Sequence, residues 1–151
     1  MLNTDTAATT HVQDDLNSIV NELAQQLNAH VSSIYSWNAN KNVLELIATH
    51  GLNKELVGQL CLRPDQGLTG LVAETRKAVS VKNPSKHPRY ILVPRSFEER
   101  LQSYLGVPVF HTGRQFMGVL TVQSESARIF SGSDIDTVVK ASNRVAQLLV
   151  R

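Results

Sequence analysis

The spacing of apolar residues changes twice along this chain, and those changes restrict its fold more than any other feature. Near the start, apolar residues recur every three to four positions, which predicts a helix from Val12 to about Leu27. The same spacing returns from Phe130 to Leu149, and Ser131 with Asp134 three positions later predicts a capping box at the start of this helix. Between these ends lie short apolar runs bounded by Gly, Pro and Asn, which indicate strands. We therefore expect an α+β fold in which a sheet packs against helices.

The intervening segment contains six strand-like runs. The first two are joined by the Asn-rich connector 38–42, which predicts a hairpin because Asn tolerates left-handed backbone. A helix from Gly67 to about Lys77 follows the third run, with Asp65 as its predicted N-cap. Pro108 in the fifth run predicts a bulge or an edge-like position. The six predicted strands are 31–37, 43–49, 59–63, 78–81, 103–111 and 115–123. This order indicates a mainly antiparallel sheet.

A long polar loop, Lys82 to Gln102, separates the fourth strand from the fifth and is called the lid below. It is too long to be a simple connector in a compact domain, so it is either functional or disordered. Its three prolines limit the entropy lost on ordering, and Tyr90 to Val93 supply apolar anchors. We expect an ordered lid that closes over a pocket.

The glycines at the start of the middle helix allow two interpretations. A helix start carries free N–H groups and a partial positive charge, so Gly67 and Gly70 could let an anion approach closely. Alternatively, the same glycines allow close packing of the helix on the sheet.

Composition excludes several classes of function. The formal net charge is only +2 and the basic residues are scattered, which gives no footprint for nucleic acid or an anionic membrane. No apolar run approaches the roughly 20 residues of a membrane span, and the first residues do not resemble a signal peptide. We expect a cytoplasmic protein with residues 1–11 as a flexible tail and 12–151 as a single domain.

Cysteine and histidine give no sign of a metal or redox centre. Cys61 is the only cysteine, which excludes an intramolecular disulfide, and it is predicted to be a small core residue. The five histidines have no ligand spacing, so no metal site and no cofactor are expected.

Four motifs in order carry a resemblance to GAF domains. The chain resembles that family from about residue 12 to 151 in the segments 67–73, 87–90, 105–109 and 117–120, which read GLTGLVA, HPRY, LGVPV and MGVL. The resemblance implies a GAF/PAS-like fold: a central antiparallel sheet of about six strands, with the N- and C-terminal helices on one face and a helix plus the lid over the other.

Within that family, the chain is most similar to the N-terminal regulatory GAF domain of nitrogen-related phosphoenolpyruvate-protein phosphotransferases. The resemblance is carried by residues 85–90, Pro94, Glu98, Glu99, Ser103 and 105–108. That resemblance implies a sensor of small nitrogen metabolites such as glutamine, which controls an attached output domain. The histidine-bearing phosphotransfer segment of those enzymes is not in this sequence. The chain is therefore expected to be either a fragment or a stand-alone GAF protein, with a fused or separate signalling partner.

Catalytic and chromophore-binding types of GAF domain do not match these residues. No cysteine lies near His87 for a bilin, and methionine sulfoxide reductases of this fold need several cysteines. A pairing of His87 with Glu98 or Glu99 is the candidate for acid–base catalysis, but no nucleophile or metal set accompanies it. We expect no enzymatic activity and no catalytic residue.

Ligand binding is expected between the sheet and the lid. Arg89 or Arg95 could pair with a carboxylate, and Glu98 or Glu99 could receive an amino group, which would suit an amino acid; another small anion is also considered. Ion pairs confined to the lid are the alternative at each position. The predicted ligand-binding residues are Thr69, Gly70, His87, Arg89, Tyr90, Arg95, Glu98, Glu99 and Ser103.

Dimerisation is the competing function. If the apolar faces of the terminal helices exceed what the sheet covers, the surplus is an interface for a homodimer. The positions concerned are Leu16, Ile19, Leu23, Val138, Val145 and Leu149.

Overall fold

One six-stranded antiparallel sheet forms the centre of the molecule. The computed structural model describes the backbone of residues 2–150 and the side chains of residues 11–150. The strands are β1 (Val31–Asn38), β2 (Val43–His50), β3 (Cys61–Leu62), β4 (Val79–Lys82), β5 (Ser103–His111) and β6 (Gln115–Ser124). They lie in the order β3-β2-β1-β6-β5-β4. The hairpins β1–β2 and β5–β6 therefore meet at the centre through β1 and β6.

Three helices cover the two faces of this sheet: α1 (Leu2–Gln26), α2 (Gly67–Thr75) and α3 (Gly132–Leu149). α1 and α3 pack on one face over a core that includes Leu23, Leu120 and Val145. On the other face Val72 of α2 packs in a second core with Leu46. Since full burial of each such side chain contributes roughly 1.5–3 kcal/mol, these two layers hold the helices to the sheet. The predicted α+β architecture is confirmed.

The terminal helices are fixed to each other by polar contacts as well as by the core. Arg128 Nη1 donates to the Leu27 carbonyl at 2.9 Å, just after α1, and its Nη2 donates to Asp134 Oδ2 at 3.3 Å in α3. The predicted capping box is confirmed, since Asp134 N donates to Ser131 Oγ at 3.0 Å and Ser131 N donates to Asp134 Oδ2 at 2.9 Å. These hydrogen bonds hold the pKa of Asp134 below its usual range.

The apolar faces of these helices are covered largely within the chain. Leu16, Ile19 and Leu23 are each 2% exposed, and Val138 and Val145 are fully buried. Leu149 is half-buried. The sheet therefore covers most of the surface that the sequence offered as a possible interface.

The predicted start of α1 and the predicted N-cap of α2 differ from the structure. α1 begins at Leu2 rather than Val12, because the small polar residues before Val12 have no apolar period by which a helix could be recognised. α2 begins at Gly67 after Gln66, not after Asp65 as N-cap, and it ends at Thr75. Asp65 instead accepts from Arg63 Nε at 3.1 Å, and Gln66 Oε1 accepts from Arg63 N at 2.8 Å.

The prediction that Cys61 is a core residue is wrong, since its side chain is exposed. β3 is a short edge strand in which neighbouring side chains point to opposite faces, and Leu62 takes the buried position.

Pro108 lies where one side of its strand is unpaired. β4 pairs with β5 only from Ser103 to Gly106, so no ladder bond on that side requires an N–H from Pro108. The register with β6 shifts at the next pair, Val109/Phe110. The edge-like position predicted for this proline is confirmed. Within residues 2–150, no helix combines the length and the apolar character needed to cross a membrane.

Candidate functional site

The lid crosses the sheet face that α2 occupies and encloses a cavity with it. Two short 3-10 turns, Pro84–Lys86 and Glu98–Arg100, give the lid regular structure near its ends. The cavity, called the lid cavity below, has a volume of about 40 Å³, which is room for only a few water molecules. It is lined by Tyr35, Leu62, Gly67, Leu68, Thr69, Pro84, Tyr90, Ile91, Val93, Glu98, Tyr104 and Gln123.

Two tyrosines and a glutamine from three central strands form the floor. The β5–β6 register places Tyr104 directly opposite Gln123 on the same face of the sheet. Tyr104 lies across Gly106, because a Cβ added at Gly106 would come within 2.4 Å of the Tyr104 hydroxyl oxygen. This glycine therefore makes room for the tyrosine side chain to reach over the sheet.

The Tyr104 hydroxyl connects the floor to α2. It lies 2.8 Å from Thr69 Oγ1, in the first turn of the helix. Burial raises the pKa of both Tyr104 and Tyr35, so both phenols are neutral near pH 7. The floor thus offers neutral hydroxyl groups that can donate or accept.

Glu98 is the one acid among the described residues that lines the lid cavity. Gln123 Nε2 donates to its Oε2 at 3.3 Å, and its backbone N–H donates to Ser96 Oγ at 3.2 Å. Burial raises the pKa of Glu98; its side-chain hydrogen bonds to Gln123 and Ser96 lower that pKa, and the charge of Glu99 raises it. No Lys, Arg or His lines the cavity in the described part of the chain. The carboxylate therefore lacks a cationic partner.

The roof of the cavity is the apolar middle of the lid. Ile91 rests on the start of α2, since a Cβ added at Gly67 would lie 3.0 Å from Ile91 Cγ1. Gly67 also has φ +70°, a conformation that favours glycine. The side chains of Tyr90 and Val93 close the rest of the roof.

The first turn of α2 supplies the remaining polar groups. The N–H groups of Gly67, Leu68 and Thr69 precede the first intrahelical hydrogen bonds, so the helix itself provides no acceptor for them. Together with the helix dipole, they favour a negatively charged group at this end. The cavity thus has an acidic wall at Glu98 and an electropositive wall at α2.

Comparison with known proteins assigns the fold to a family. The family model described as the GAF domain matches residues 11–149. This chain belongs to the GAF domain family. The earlier resemblance to that family is confirmed.

The curated relatives of this GAF domain are longer proteins, and the chain matches one part of each. The chain is 29% identical over 143 residues to a protein of Escherichia coli strain K12 named for the phosphoenolpyruvate-dependent phosphotransferase system, over 95% of this chain and 19% of that protein. It is 29% identical over 142 residues to the Nif-specific regulatory protein of Azospirillum brasilense, over 90% of this chain and 22% of that protein. The chain spans about a fifth of the length of these curated relatives.

Solved structures agree with the assignment. The GAF domain of an Acinetobacter phosphoenolpyruvate-protein phosphotransferase superposes with a TM-score of 0.81 at 31% identity, covering 98% of this chain and 91% of that one. The type II free methionine-R-sulfoxide reductase of Thermoplasma acidophilum gives a TM-score of 0.80 at 17% identity, with 94% of each chain covered. The second comparison shows a shared fold only.

Three of the predicted ligand-binding residues line the lid cavity of this GAF domain, namely Thr69, Tyr90 and Glu98. Gly70 lies one residue further along α2, and a Cβ there would come within 2.5 Å of the Arg63 carbonyl oxygen. Close packing of the helix against the preceding turn therefore accounts for that glycine.

His87 and Arg89 take part in contacts that hold the lid itself. His87 Nδ1 accepts from Arg89 N at 3.0 Å. The Arg89 guanidinium donates to the Pro64 carbonyl at 2.9 Å and to Glu74 Oε1 at 3.3 Å. Neither residue lines the cavity, and His87 is not joined there to Glu98.

The other three predicted residues lie away from the cavity. The side chains of Arg95 and Glu99 are exposed. Ser103 is buried on the opposite sheet face from Tyr104, because neighbouring strand residues alternate, and it donates to the Ser124 carbonyl at 3.4 Å.

Sequence reasoning missed the floor of the cavity. Tyr35, Tyr104 and Gln123 all lie in predicted strands, where they are easily taken for ordinary sheet residues. One signal was available in the sequence. Tyr104 precedes Gly106 by two positions, so the two residues share a face of the strand. A glycine at such a position leaves room for the tyrosine ring to lie over the strand.

Proposed function

We propose that this GAF domain is a regulatory sensor that binds a small metabolite in the lid cavity. The observation that carries the proposal is the Glu98 carboxylate, which lines the cavity with neutral residues and without a cation. A ligand ammonium group would supply the missing positive charge through a charge-assisted hydrogen bond.

An amino acid such as glutamine suits both walls of the cavity. Its ammonium group would meet Glu98, and its carboxylate would meet the N–H groups at the start of α2. The ligand carboxylate therefore does not need Arg89, which already donates to Pro64 and Glu74. The hydroxyls of Tyr35 and Tyr104 and the Gln123 amide remain for a polar ligand side chain.

Strand alternation supports signalling from this cavity to the terminal helices. Tyr104 and Gln123 face the cavity, while their neighbours Leu105 and Val122 belong to the core beneath α1 and α3. A displacement of either strand by ligand would therefore reach both helices. We propose that α1 and α3 pass this change to a fused or separate output domain, and that a homodimer forms through the outer side of these helices, where Val139 is 41% exposed.

Neither metal nor enzymatic chemistry is part of this proposal. Within the described residues, no group of three His, Cys, Asp and Glu side chains could hold a metal ion. The phosphotransferase relatives suggest that the chain regulates such a system rather than performing its chemistry. It could do so as a regulatory segment of a longer phosphotransferase.

A thermal-shift screen tests the proposal. The panel contains amino acids, 2-oxoglutarate, nitrate and nucleotides. A ligand at a hundred times its Kd should stabilise the domain by about 2.7 kcal/mol. We expect an amino acid to shift Tm, Glu98→Gln to abolish the shift, and the exposed control Glu99→Gln to retain it. A shift given only by compounds without an amino group, or one unaffected by Glu98→Gln, would contradict the proposed ligand.

A ligand-free dimerisation or interaction module is the second candidate. The small volume of the cavity favours it, because about 40 Å³ leaves room for only a few water molecules beneath the lid. Its signature would be a stable dimer in light scattering together with no thermal shift by any compound.

A further inference from the structure

The lid contains a short segment that is held differently from the rest of it. Residues Arg89–Val93, called the flap below, form the roof of the cavity through Tyr90, Ile91 and Val93. A small-metabolite pocket usually has roughly 300 Å³ or more, so a cavity of about 40 Å³ must enlarge before a ligand enters. Some part of its wall therefore moves.

The floor and α2 are poor candidates for that movement. The floor belongs to central strands paired on both sides. α2 is packed tightly at its start, where Gly70 meets the Arg63 carbonyl, and at its end, where the Arg76 guanidinium carbon lies 3.9 Å from the centre of the Phe116 ring. Movement of α2 would break both contacts.

The second half of the lid is firmly attached to the domain. Asn53 N donates to the Ser96 carbonyl at 3.2 Å, and Asn53 Nδ2 donates to the Arg95 carbonyl at 2.9 Å. Leu101 is buried in a small core with Val31 and Leu52. Glu98, which lies between these attachments, is thereby fixed in the cavity wall.

Among the described residues, the side-chain hydrogen bonds that tie the flap to the rest of the domain come from Arg89. Arg89 donates to Pro64 and to Glu74, and the ion pair with Glu74 is partly exposed, with 29% and 48% of the two side chains accessible. Partly exposed ion pairs of this kind contribute little to stability. Beyond Arg89, the side chains of Ile91 and Leu92 are 40% and 51% exposed. Few polar attachments and incomplete burial are typical of segments that open locally.

We propose that Arg89 is a latch, and that the lid opens by release of the flap while Ser96 to Gln102 stay in place. The flap controls entry, and Glu98 remains fixed to receive the ligand. This inference rests on the proposed function for its purpose, the entry of a ligand, but its test needs no ligand.

The test is the rate at which a thiol-specific reagent labels a cysteine in the cavity wall. Leu68 is 6% exposed and lines the cavity, so Leu68→Cys reports on opening. The full chain is used with Cys61→Ser, because the native thiol is exposed. A second reporter, Ala146→Cys, measures global unfolding. Its position lies in α3, away from the lid, and is 2% exposed.

Arg89→Ala should accelerate labelling at position 68 roughly tenfold or more, the factor expected for loss of a hydrogen bond from a charged group. Labelling at position 146 should stay unchanged. Arg95→Ala is the matched control, because it removes an exposed arginine of the same lid, and it should leave both rates unchanged. In the Arg89→Ala protein, the amides of Leu101 and Gln102, which donate to Glu98 and Ser124 carbonyls, should keep their hydrogen-exchange protection.

Three results would overturn the latch. Unchanged labelling at position 68 would show that Arg89 does not hold the flap. Equal acceleration at positions 68 and 146 would show global destabilisation. Lost protection at Leu101 and Gln102 would show that the whole lid opens. If an amino acid binds but Arg89→Ala does not change the labelling rate, the sensor proposal stands without the latch. If Arg89→Ala accelerates labelling but no amino acid binds, the latch stands without the sensor proposal.

Discussion

The Tyr104 hydroxyl lies 2.8 Å from Thr69 Oγ1, and this hydrogen bond joins the central sheet to the first turn of α2 at the edge of the lid cavity. Both residues are buried, at 3% and 8% exposure, so neither oxygen has ready access to bulk water. The bond fixes the distance between the floor of the cavity and the helix start that we propose receives a carboxylate.

Replacing Tyr104 with Phe should therefore destabilise the domain. The change leaves Thr69 Oγ1 buried without that partner, and the expected loss is about 1–2 kcal/mol in the free energy of unfolding. Urea denaturation of Tyr104→Phe, Thr69→Val and the double variant gives the coupling energy between the two residues. Additive effects of the two substitutions would show that the hydrogen bond contributes nothing to stability.

Gly70 should tolerate no side chain. A Cβ at this position would lie 2.5 Å from the Arg63 carbonyl oxygen and 3.0 Å from that of Pro64, both backbone atoms that cannot rotate away. We expect Gly70→Ala to lower the free energy of unfolding by about 1–3 kcal/mol, as overpacking does.

The matched control for that substitution is Gly132→Ala in the first turn of α3. A Cβ at Gly132 meets no atom within 4 Å among the described residues. Its effect should be neutral or slightly stabilising, because alanine restricts the unfolded chain. Equal Tm values for the Gly70→Ala and parent proteins would contradict the close packing of α2.

Glu98 should make the domain less stable as pH rises. Burial raises its pKa in the folded state above the ordinary value of 4.5, so the folded protein holds this proton more tightly than the unfolded chain. The resulting stabilisation is fully present below the unfolded pKa and is lost as pH rises through the folded pKa.

Glu98→Gln removes that titration. The variant should therefore be more stable than the parent at pH 7, and the difference should shrink toward pH 4. Glu99→Gln, at the exposed neighbouring position, is the control and should show no such trend. Chemical denaturation at several pH values measures the difference in the free energy of unfolding between Glu98→Gln and the parent. A Glu98→Gln protein that is less stable than the parent at pH 7 would contradict the direction of the pKa shift.

The elements of the fold were predictable because each follows from a local pattern. The hairpin at Asn38–Asn42 and the cap at Ser131 depend on residues within a few positions of each other, and both were predicted. The start of α1 was not, since residues before Val12 offer no apolar period. Cys61 was misplaced because a two-residue edge strand is too short for its alternation to show which side chain faces inward.

The site was less predictable because it depends on register between distant strands. Tyr104 meets Gln123 through the pairing of β5 with β6. Glu98 was predicted at the cavity because a charged residue in a long loop is a natural ligand contact. Arg89 was predicted there on the same ground, but the Pro64 carbonyl and Glu74 already accept its hydrogen bonds. Only tertiary geometry distinguishes a lid residue that turns inward from one that fastens the lid.

Calorimetric titration of the parent chain with L-glutamine, and with the analogue that lacks only the α-amino group, shows whether Glu98 receives a ligand ammonium group. We expect glutamine to bind more tightly by about 1.5–3 kcal/mol, the contribution of a hydrogen bond to a charged group. Glu98→Gln should remove this difference, and Glu99→Gln should retain it. Equal affinity for the two compounds, or a preference that survives Glu98→Gln, would contradict the role of Glu98 as the receptor for an ammonium group.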